Sequence, residues 1–275
     1  MATLAQRVRL AEVPRPRAAA WVPNVYFFFE SVEVAGELRG AEVGSFAELT
    51  VEGLSPFELE QLNWGYVWDR EGRRLFLYAA LRERLNRERE PENWEGARHV
   101  LPAAAALCAE RGEAARTVFV DDGRAVSALC FAAGARVPEA VLSEPYAVPA
   151  PPEAEASEAD GEAGAEAEAA LHEAVWAARE ALLRRIDAEA YPPEADIRQP
   201  GGASLHGEGE LRVAPLRITP EGGPQAQPEA RLAGAEDVWT ADIRDDAYLE
   251  RERRSRKAGA ILWKGMVAVA VAAAL

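Results

Sequence analysis

Residues 116–142 read RTVFVDDGRAVSALCFAAGARVPEAVL. β-Branched, aromatic and small apolar residues form three short runs, broken by Asp-Asp-Gly and by Gly134. The pattern predicts a three-stranded meander with strands at Val118–Val120, Val126–Phe131 and Val137–Leu142, turning at Asp122-Gly123 and at Gly134. The first turn has two readings. Asp121 or Asp122 would hold Mg²⁺ through water, with Gly123 letting the backbone approach a phosphate. Alternatively, Asp-Gly is simply the strongest short hairpin signal. The loop carries no Ser or Thr hydroxyl of the kind a phosphate site normally supplies.

Towards the N-terminus, helices are expected near residues 81–90 and 101–111, the second with Pro102 near its start and Gly112 at its stop. NWGYVWDREGRRLFLYAAL (63–81) predicts a β-hairpin turning at Asp69–Gly72. In LSPFELEQL, Pro56 is expected to open a short helical segment. SFAELTVEGL alternates around Phe46, Leu49 and Val51, which fits a strand or a short helix with Leu49 on its buried face. AWVPNVYFFFESVEV (20–34) reads as a strand entering a core. Residues 1–20 form an N-terminal tail without a signal-peptide pattern.

Towards the C-terminus, residues 149–169 are expected to be an acidic disordered linker of Pro, Ala, Glu and Gly. From about Ala170 a helix is expected to 190, with Leu171, Val175, Ala178, Leu182 and Ile186 on one face and Glu173, Arg179, Glu180 and Arg184 off it. Residues 192–209 and 220–237 are expected to be loops, with a strand at ELRVAPLRITP between them.

The formal net charge is −15. Seven acids and no base lie in 151–170; without them, 39 acids still oppose 31 bases. No nucleic-acid partner is therefore expected, because phosphate neutralisation needs clustered Lys and Arg. Hydrophobic residues make up 49% of the chain, enough for a core. Cys108 and Cys130 are expected to be reduced core thiols, having no partners at disulfide or metal spacing.

The chain closes RERRSRKAGAILWKGMVAVAVAAAL. Arg251, Arg253, Arg254, Arg256 and Lys257 precede an apolar run in which Lys264 is the one charge. The run predicts a membrane anchor through Ile261, Leu262, Trp263, Lys264, Met266, Val267, Val269, Val271 and Leu275, with Trp263 and Lys264 at the headgroups. Eighteen helical residues rise about 27 Å, against a hydrocarbon core of about 30 Å. Beyond Lys264 only about 16 Å is clean, so the span is expected to be truncated. Positive flanks stay inside, which places the bulk of the protein in the cytoplasm as a single-pass inner-membrane protein.

Signals for catalysis are sparse. His99, His172 and His206 are dispersed and sit in no motif, and there is no GxSxG, HExxH, GxxxxGK[ST] or CxxC. No cofactor, metal or catalytic residue is assigned; Asp121, Asp122 and Gly123 stand as the candidate cofactor-binding residues. QPGGASLHGEGE is Gly-rich but lacks the strand-to-helix setting of a phosphate cradle.

The order of elements from 21 to 145 resembles the actin-like domains of the type IV pilus protein PilM and of type II secretion L proteins. The resemblance rests on Glu52, Pro56 and Phe57 ahead of the Trp64 strand, a Pro/Ala helix, and a strand–turn–strand unit carrying Asp121 or Asp122 with Gly123. The segment ADIRDDAYLERERRSRKAGAILWKGM is similar in layout to the membrane approach of L proteins and of the pilus protein PilN. This resemblance implies an α/β, degenerate actin-like (ribonuclease H-like) domain at 21–148, completed by 170–247 and followed by a membrane segment at 248–275. It implies a non-catalytic platform component docking a secretion or pilus ATPase and other inner-membrane subunits, with homodimerisation possible in such a family. Nothing in Met1–Val25 matches the first phosphate loop of nucleotide-binding members, and no adenosine-side glycine pair is identifiable, which implies that ATP binding is lost. Two alternatives stand beside it: a divergent actin-like ATPase using Asp121 or Asp122 with Gly123, and a membrane-tethered regulatory protein.

Overall fold

The computed structural model describes residues 17–36, 38–88, 94, 96–148, 160–207, 209–220, 224–235, 237–245, 247–255, 258, 261 and 266. The meander forms as β6 (Arg116–Asp121), β7 (Ala125–Phe131) and β8 (Ala140–Pro145), each antiparallel to the next. It is half of a larger sheet. β9 (Pro193–His206) runs parallel to β6, and β10 (Glu210–Ile218) pairs antiparallel with β9. β11 (Gln225–Ala226) and β12 (Ala230–Ala233) flank β10. The crossover from β8 to β9 contains helix α3 (Asp160–Leu183). The chain is thus of mixed α/β class.

Both faces of this sheet are covered at its centre, which explains why β6 and β7 are buried along almost their whole length and carry consecutive apolar residues rather than a strict alternation. Phe119, Val126, Ala128 and Ile197 pack against Val175, Ala178 and Leu182 of α3. Val118, Val120, Leu129 and Phe131 face the main core instead. That core also takes β1 (Arg17–Val22), parallel to β5 (Ala97–Pro102), and a 3₁₀ helix at Ala103–Ala109.

A second, three-stranded antiparallel sheet has the order β2-β4-β3, from β2 (Phe28–Glu33), β3 (Leu62–Asp69) and β4 (Arg74–Leu81). β4 is its centre: Leu75, Leu77 and Ala79 face helix α1 (Ala41–Leu54), whereas Phe76, Tyr78 and Ala80 face the main core. The period of two in strand side chains makes one strand serve two cores. Helix α2 (Arg82–Glu88) follows β4 directly.

Several expectations are corrected. SFAELTVEGL lies in helix α1, whose buried stripe is Val43, Ala47 and Val51; Leu49 points outward at 68% exposure. The four-residue spacing of that stripe, not the two-residue alternation, faces the sheet. Pro56 lies in a bend, and the short 3₁₀ turn begins at Leu59. AWVPNVYFFFESVEV is two strands in different sheets, separated by a 3₁₀ turn at Asn24–Tyr26, and β1 starts at Arg17, inside the predicted tail 1–20. The 101–111 helix is instead the end of β5 and a 3₁₀ helix whose residues 103–108 are all buried.

The part of the predicted linker 149–169 from Asp160 onward is helical, so α3 starts ten residues before Ala170. Residues 149–159 lie outside the described residues. Arg179, placed off the apolar face by spacing, is buried: its guanidinium lies 4.6 Å from the Phe119 ring centroid and donates to the Glu194 carbonyl at 2.7 Å. The predicted loop 192–209 is mostly the 14-residue β9. Its Pro200-Gly201 pair sits at a register shift opposite Pro215. Gly201 has φ +64°, and a Cβ there would lie 2.0 Å from the Ala214 carbonyl oxygen. Proline and glycine mark a bulge inside this strand, not its absence. The predicted loop 220–237 contains the short strands β11 and β12.

Candidate functional site

The Asp121–Ala125 turn closes on itself. Asp122 N–H donates to the Ala125 carbonyl at 3.2 Å, and Gly123 takes φ +86°. Gly123 N–H donates to Asp121 Oδ1 at 2.9 Å. Arg124 and Ala125 N–H donate to Asp122 Oδ1 at 3.0 and 2.9 Å. Every amide from 122 to 125 is therefore satisfied within the turn.

The carboxylates are also engaged from outside. Asp121 Oδ1 accepts from the Tyr146 hydroxyl at 2.5 Å, and its Oδ2 from Gln199 Nε2 at 2.9 Å. Asp122 Oδ2 accepts from Asn24 N–H at 2.7 Å. Burial pushes the Asp122 carboxyl up to about 6, aided by the neighbouring Asp121 charge and opposed by the three backbone donors. Burial, then the hydrogen bond to Asp121, raises the Tyr146 hydroxyl.

Asn24 organises this corner and had no signal in the sequence. It is fully buried, one residue after the Pro23 that ends β1. Its Oδ1 accepts from Ala104 N–H at 2.8 Å and its Nδ2 donates to Ser127 Oγ at 3.0 Å. The first supplies the cap that the buried 3₁₀ helix lacks locally, since an unpaired buried N–H is costly.

Beside the turn lies a groove of about 980 Å³. One wall is residues 25–29, leading into β2. The other is β8 and its continuation, through Val141, Ser143, Tyr146 and Val148. Gly123 and Arg124 stand at its edge. The Arg84 and Arg124 guanidiniums lie 5.2 and 6.0 Å from the Tyr26 ring centroid. A second hollow of about 510 Å³ shares Tyr26, Phe28 and Arg84 with the groove and runs over Leu54–Phe57.

A second polar cluster fixes the C-terminal segment. His99 and Asp242, 143 positions apart, are both buried, with His99 Nδ1 3.2 Å from Asp242 Oδ2. Arg244 binds both Asp242 oxygens, at 2.9 and 2.6 Å, and donates to the Ala97 and Arg98 carbonyls. Burial by itself would raise the Asp242 carboxyl; the bonds from His99 and Arg244 outweigh it and hold the group below the usual carboxylate range. Tyr78 donates to the Ala241 carbonyl and Asn63 to the Ile243 carbonyl. This stitches residues 238–244, including helix α4 (Val238–Ala241), to β3, β4 and β5.

Helix α5 (residues 247–255) follows. Leu249 is buried, Arg251 lies 5.5 Å from the Tyr248 ring, Arg253 lies 5.9 Å from the Trp239 ring, and Arg254 pairs with Glu250 at 2.6 Å. Of the predicted anchor, Ile261 and Met266 are described, helical and exposed. Arg256, Lys257, Leu262, Trp263, Lys264, Val267, Val269, Val271 and Leu275 lie outside the described residues. Among the described residues no helix is long and apolar enough to cross a membrane. Cys108 and Cys130 are free and buried, as expected. No group of metal-ligating side chains occurs among the described residues.

The resemblance residues are dispersed. Glu52 is exposed on α1, Pro56 and Phe57 form the bend after it, and Trp64 on β3 packs against the α1 cluster. No family model and no curated protein matches the chain. Among solved structures, the chain is similar to the cytoplasmic domain of EpsL, an inner-membrane component of the type II secretion system of Vibrio cholerae. Identity is 11% and the TM-score 0.33, over 46% of this chain and 50% of that one. The match therefore spans about half the length of that structure.

Proposed function

We propose that this protein is a non-catalytic, single-pass inner-membrane platform component of a type II secretion or type IV pilus-like system. Its cytoplasmic part would be a degenerate actin-like α/β domain that docks the system's ATPase and other platform subunits. The observation that carries the non-catalytic reading is the self-satisfied turn. A phosphate-binding turn directs free backbone N–H groups at its ligand. Here those of residues 122–125 point at Asp121, Asp122 and the Ala125 carbonyl. The basic stretch from Arg251 to Lys257 and the apolar run after it support the membrane tether. Docking of α5 against Trp239 supports a domain held close to the bilayer.

Calorimetric titration of the full chain in detergent with Mg-ATP tests the catalytic half of this reading. No binding is expected up to millimolar nucleotide. Binding that disappears in Asp121→Ala or Asp122→Ala would establish the ATPase alternative instead. Fractionation tests the tether: the intact chain should sediment with membranes and a chain ending at Lys257 should not. Recovery of both in the aqueous fraction would refute it.

A further inference from the structure

Trp68 stands near the turn of the 62–81 hairpin with a hollow on each side. The first, of about 480 Å³, is lined by Leu38, Arg39, Trp68, Arg70 and Arg73, between Gly36 and Gly40. The second, of about 330 Å³, shares Trp68 and Arg70 and continues over Arg111, Arg136 and Arg231. Six arginines thus border one tryptophan in a chain of net charge −15. Charge of one sign gathered in a concave surface focuses the local field.

Carboxylates neutralise only part of this group. None lines the first hollow; Asp69, Glu71 and Asp237 line the second. Asp69 is buried, and it accepts from Arg111 Nη2 at 2.7 Å and from the Arg136 and Gly72 N–H groups at 3.0 and 3.2 Å. Glu71 pairs with Arg111 at 2.9 Å, and Arg231 pairs with Glu210 at 3.1 Å. Asp237 borders Gly234 together with Arg231. Arg39 has an interaction of its own. Three guanidiniums remain. Arg73 Nη2 donates to the Gly36 carbonyl at 3.0 Å and Arg136 Nε to the Cys108 carbonyl at 2.9 Å, both neutral acceptors. Among the described residues, no carboxylate lies within ion-pair distance of the Arg70, Arg73 or Arg136 guanidinium. The two carbonyl bonds fix the forks of Arg73 and Arg136 and leave their other N–H groups for a ligand.

The backbone adds a second sign. Residues 70–73 form the hairpin turn, and Arg73 has φ +50°, the one non-glycine residue with positive φ among the described residues. Glycine ordinarily takes such a position. The glycine of this turn is instead at 72, where a Cβ would lie 2.6 Å from Asp69 Oδ2. An arginine is therefore held in a strained conformation at the edge of the hollow, and strain of this kind concentrates at binding sites.

We infer that the Trp68 surface binds an acidic segment of a partner protein, whose carboxylates pair with Arg70, Arg73 and Arg136 while an apolar residue between them covers Trp68. Guanidinium forks match carboxylates bidentately. One phosphate fills one hollow; a segment with several carboxylates reaches both, from Arg73 across Arg70 to Arg136. A lipid headgroup is the poorer occupant. The chain passes from Asp237 along β3, with Thr240 at Tyr66 and Ile243 at Asn63, and Asp245 pairs with Arg82 past the other end of the hairpin. The segment leading to the apolar terminus therefore leaves β3 roughly 20 Å from the arginine-bearing turn. The inference rests on the docking role proposed above and names the chemistry of the docked segment.

The test uses the full chain in detergent micelles and a fluorescein-labelled peptide of about ten residues, all Glu except two central Leu. The same peptide with Gln in place of Glu is the control. The Glu peptide should bind, more weakly as salt is raised, and its control should bind at least about tenfold more weakly. Arg70→Ala, Arg73→Gly and Arg136→Ala should each weaken the Glu peptide about threefold, and the triple variant about thirtyfold. Arg73→Gly separates charge from folding: glycine suits φ +50°, so this variant should melt within about 3 °C of wild type while losing affinity. Equal binding of both peptides, or wild-type affinity in the triple variant, would overturn the inference. So would displacement of the peptide, at matched ionic strength, by millimolar inorganic phosphate or by short-chain phosphatidylglycerol, which would assign the surface to a small anion or to lipid. If the triple variant still captures the ATPase and platform subunits of its own system at wild-type affinity, the inference fails and the platform reading stands. If the peptide binds as expected and no subunit of such a system is captured, the reverse holds.

Discussion

Replacing Asn24 by Ala should destabilise the fold by about 2–4 kcal/mol. The side chain makes two buried hydrogen bonds, one accepted from Ala104 N–H at 2.8 Å and one donated to Ser127 Oγ at 3.0 Å. Each neutral bond contributes about 1 kcal/mol net, and a buried donor left unmade costs roughly 1–3 kcal/mol. The two ends are unequal. Ser127 Oγ keeps Ser143 Oγ at 2.8 Å, so it remains partnered. Ala104 N–H stands at the start of a 3₁₀ helix whose residues 103–108 are all buried, so water cannot replace Asn24 without opening the core. Most of the loss should therefore arise at Ala104. Urea unfolding of the full chain in detergent, followed by tryptophan fluorescence, measures it. Ser127→Ala should cost less, and the Asn24→Ala/Ser127→Ala pair should be non-additive by about 0.5 kcal/mol or more, because the two share a bond. An Asn24→Ala loss below about 1 kcal/mol, or strict additivity with Ser127→Ala, would refute the assignment of Asn24 as the cap.

Three other outcomes are expected. Asp122 has a native pKa raised from 3.8 to about 6, so the native state loses stability relative to the unfolded chain as pH rises through that window. Asp122→Asn does not titrate; its stability relative to wild type should rise by about 2 kcal/mol between pH 4 and pH 7, and a pH-independent difference would refute the burial argument. Asp242→Ala leaves the Arg244 guanidinium buried without its carboxylate and should cost about 3–5 kcal/mol, with faster tryptic cleavage at 251–254; unchanged cleavage would show that the His99–Asp242–Arg244 cluster does not hold α5. Burial pushes the Cys108 thiol up to about 12 and also raises Cys130. A thiol reagent at pH 8 should therefore modify neither until urea is added, and rapid labelling of the native protein would contradict their placement.

Local chemistry was legible where it was also sufficient. The hairpin 62–81 and the meander 116–145 follow from strand propensity, period and turn residues separated by only a few positions. The apolar face Val175–Ala178–Leu182 follows from helical spacing. Illegible elements were those in which tertiary contacts reverse a local signal. Pro200-Gly201 ordinarily breaks a strand, yet β9 pairs with β10 on both sides of it as a bulge, at which the β10 backbone leaves no room for a Cβ on residue 201. Ala103–Ala109 has strong α propensity but forms a 3₁₀ helix, capped by a side chain 80 positions away.

The same division governs the candidate site. Asp121, Asp122 and Gly123 could be named as a turn from their order alone, and so could the basic stretch that precedes the apolar terminus. Whether the turn's amides face a ligand or its own carboxylates is not a property of composition, because Asp-Asp-Gly permits either. The approach of Asn24, Tyr146 and Gln199, which lie 97, 25 and 78 positions from Asp121, completes the turn internally. Likewise His99 looked ordinary until Asp242, 143 residues on, was packed against it. Sequence determined the 62–81 hairpin, the 116–145 meander, the charge and the apolar end, since those depend on neighbours along the chain. Tertiary structure alone decided which polar groups are satisfied, because hydrogen bonding depends on neighbours in space.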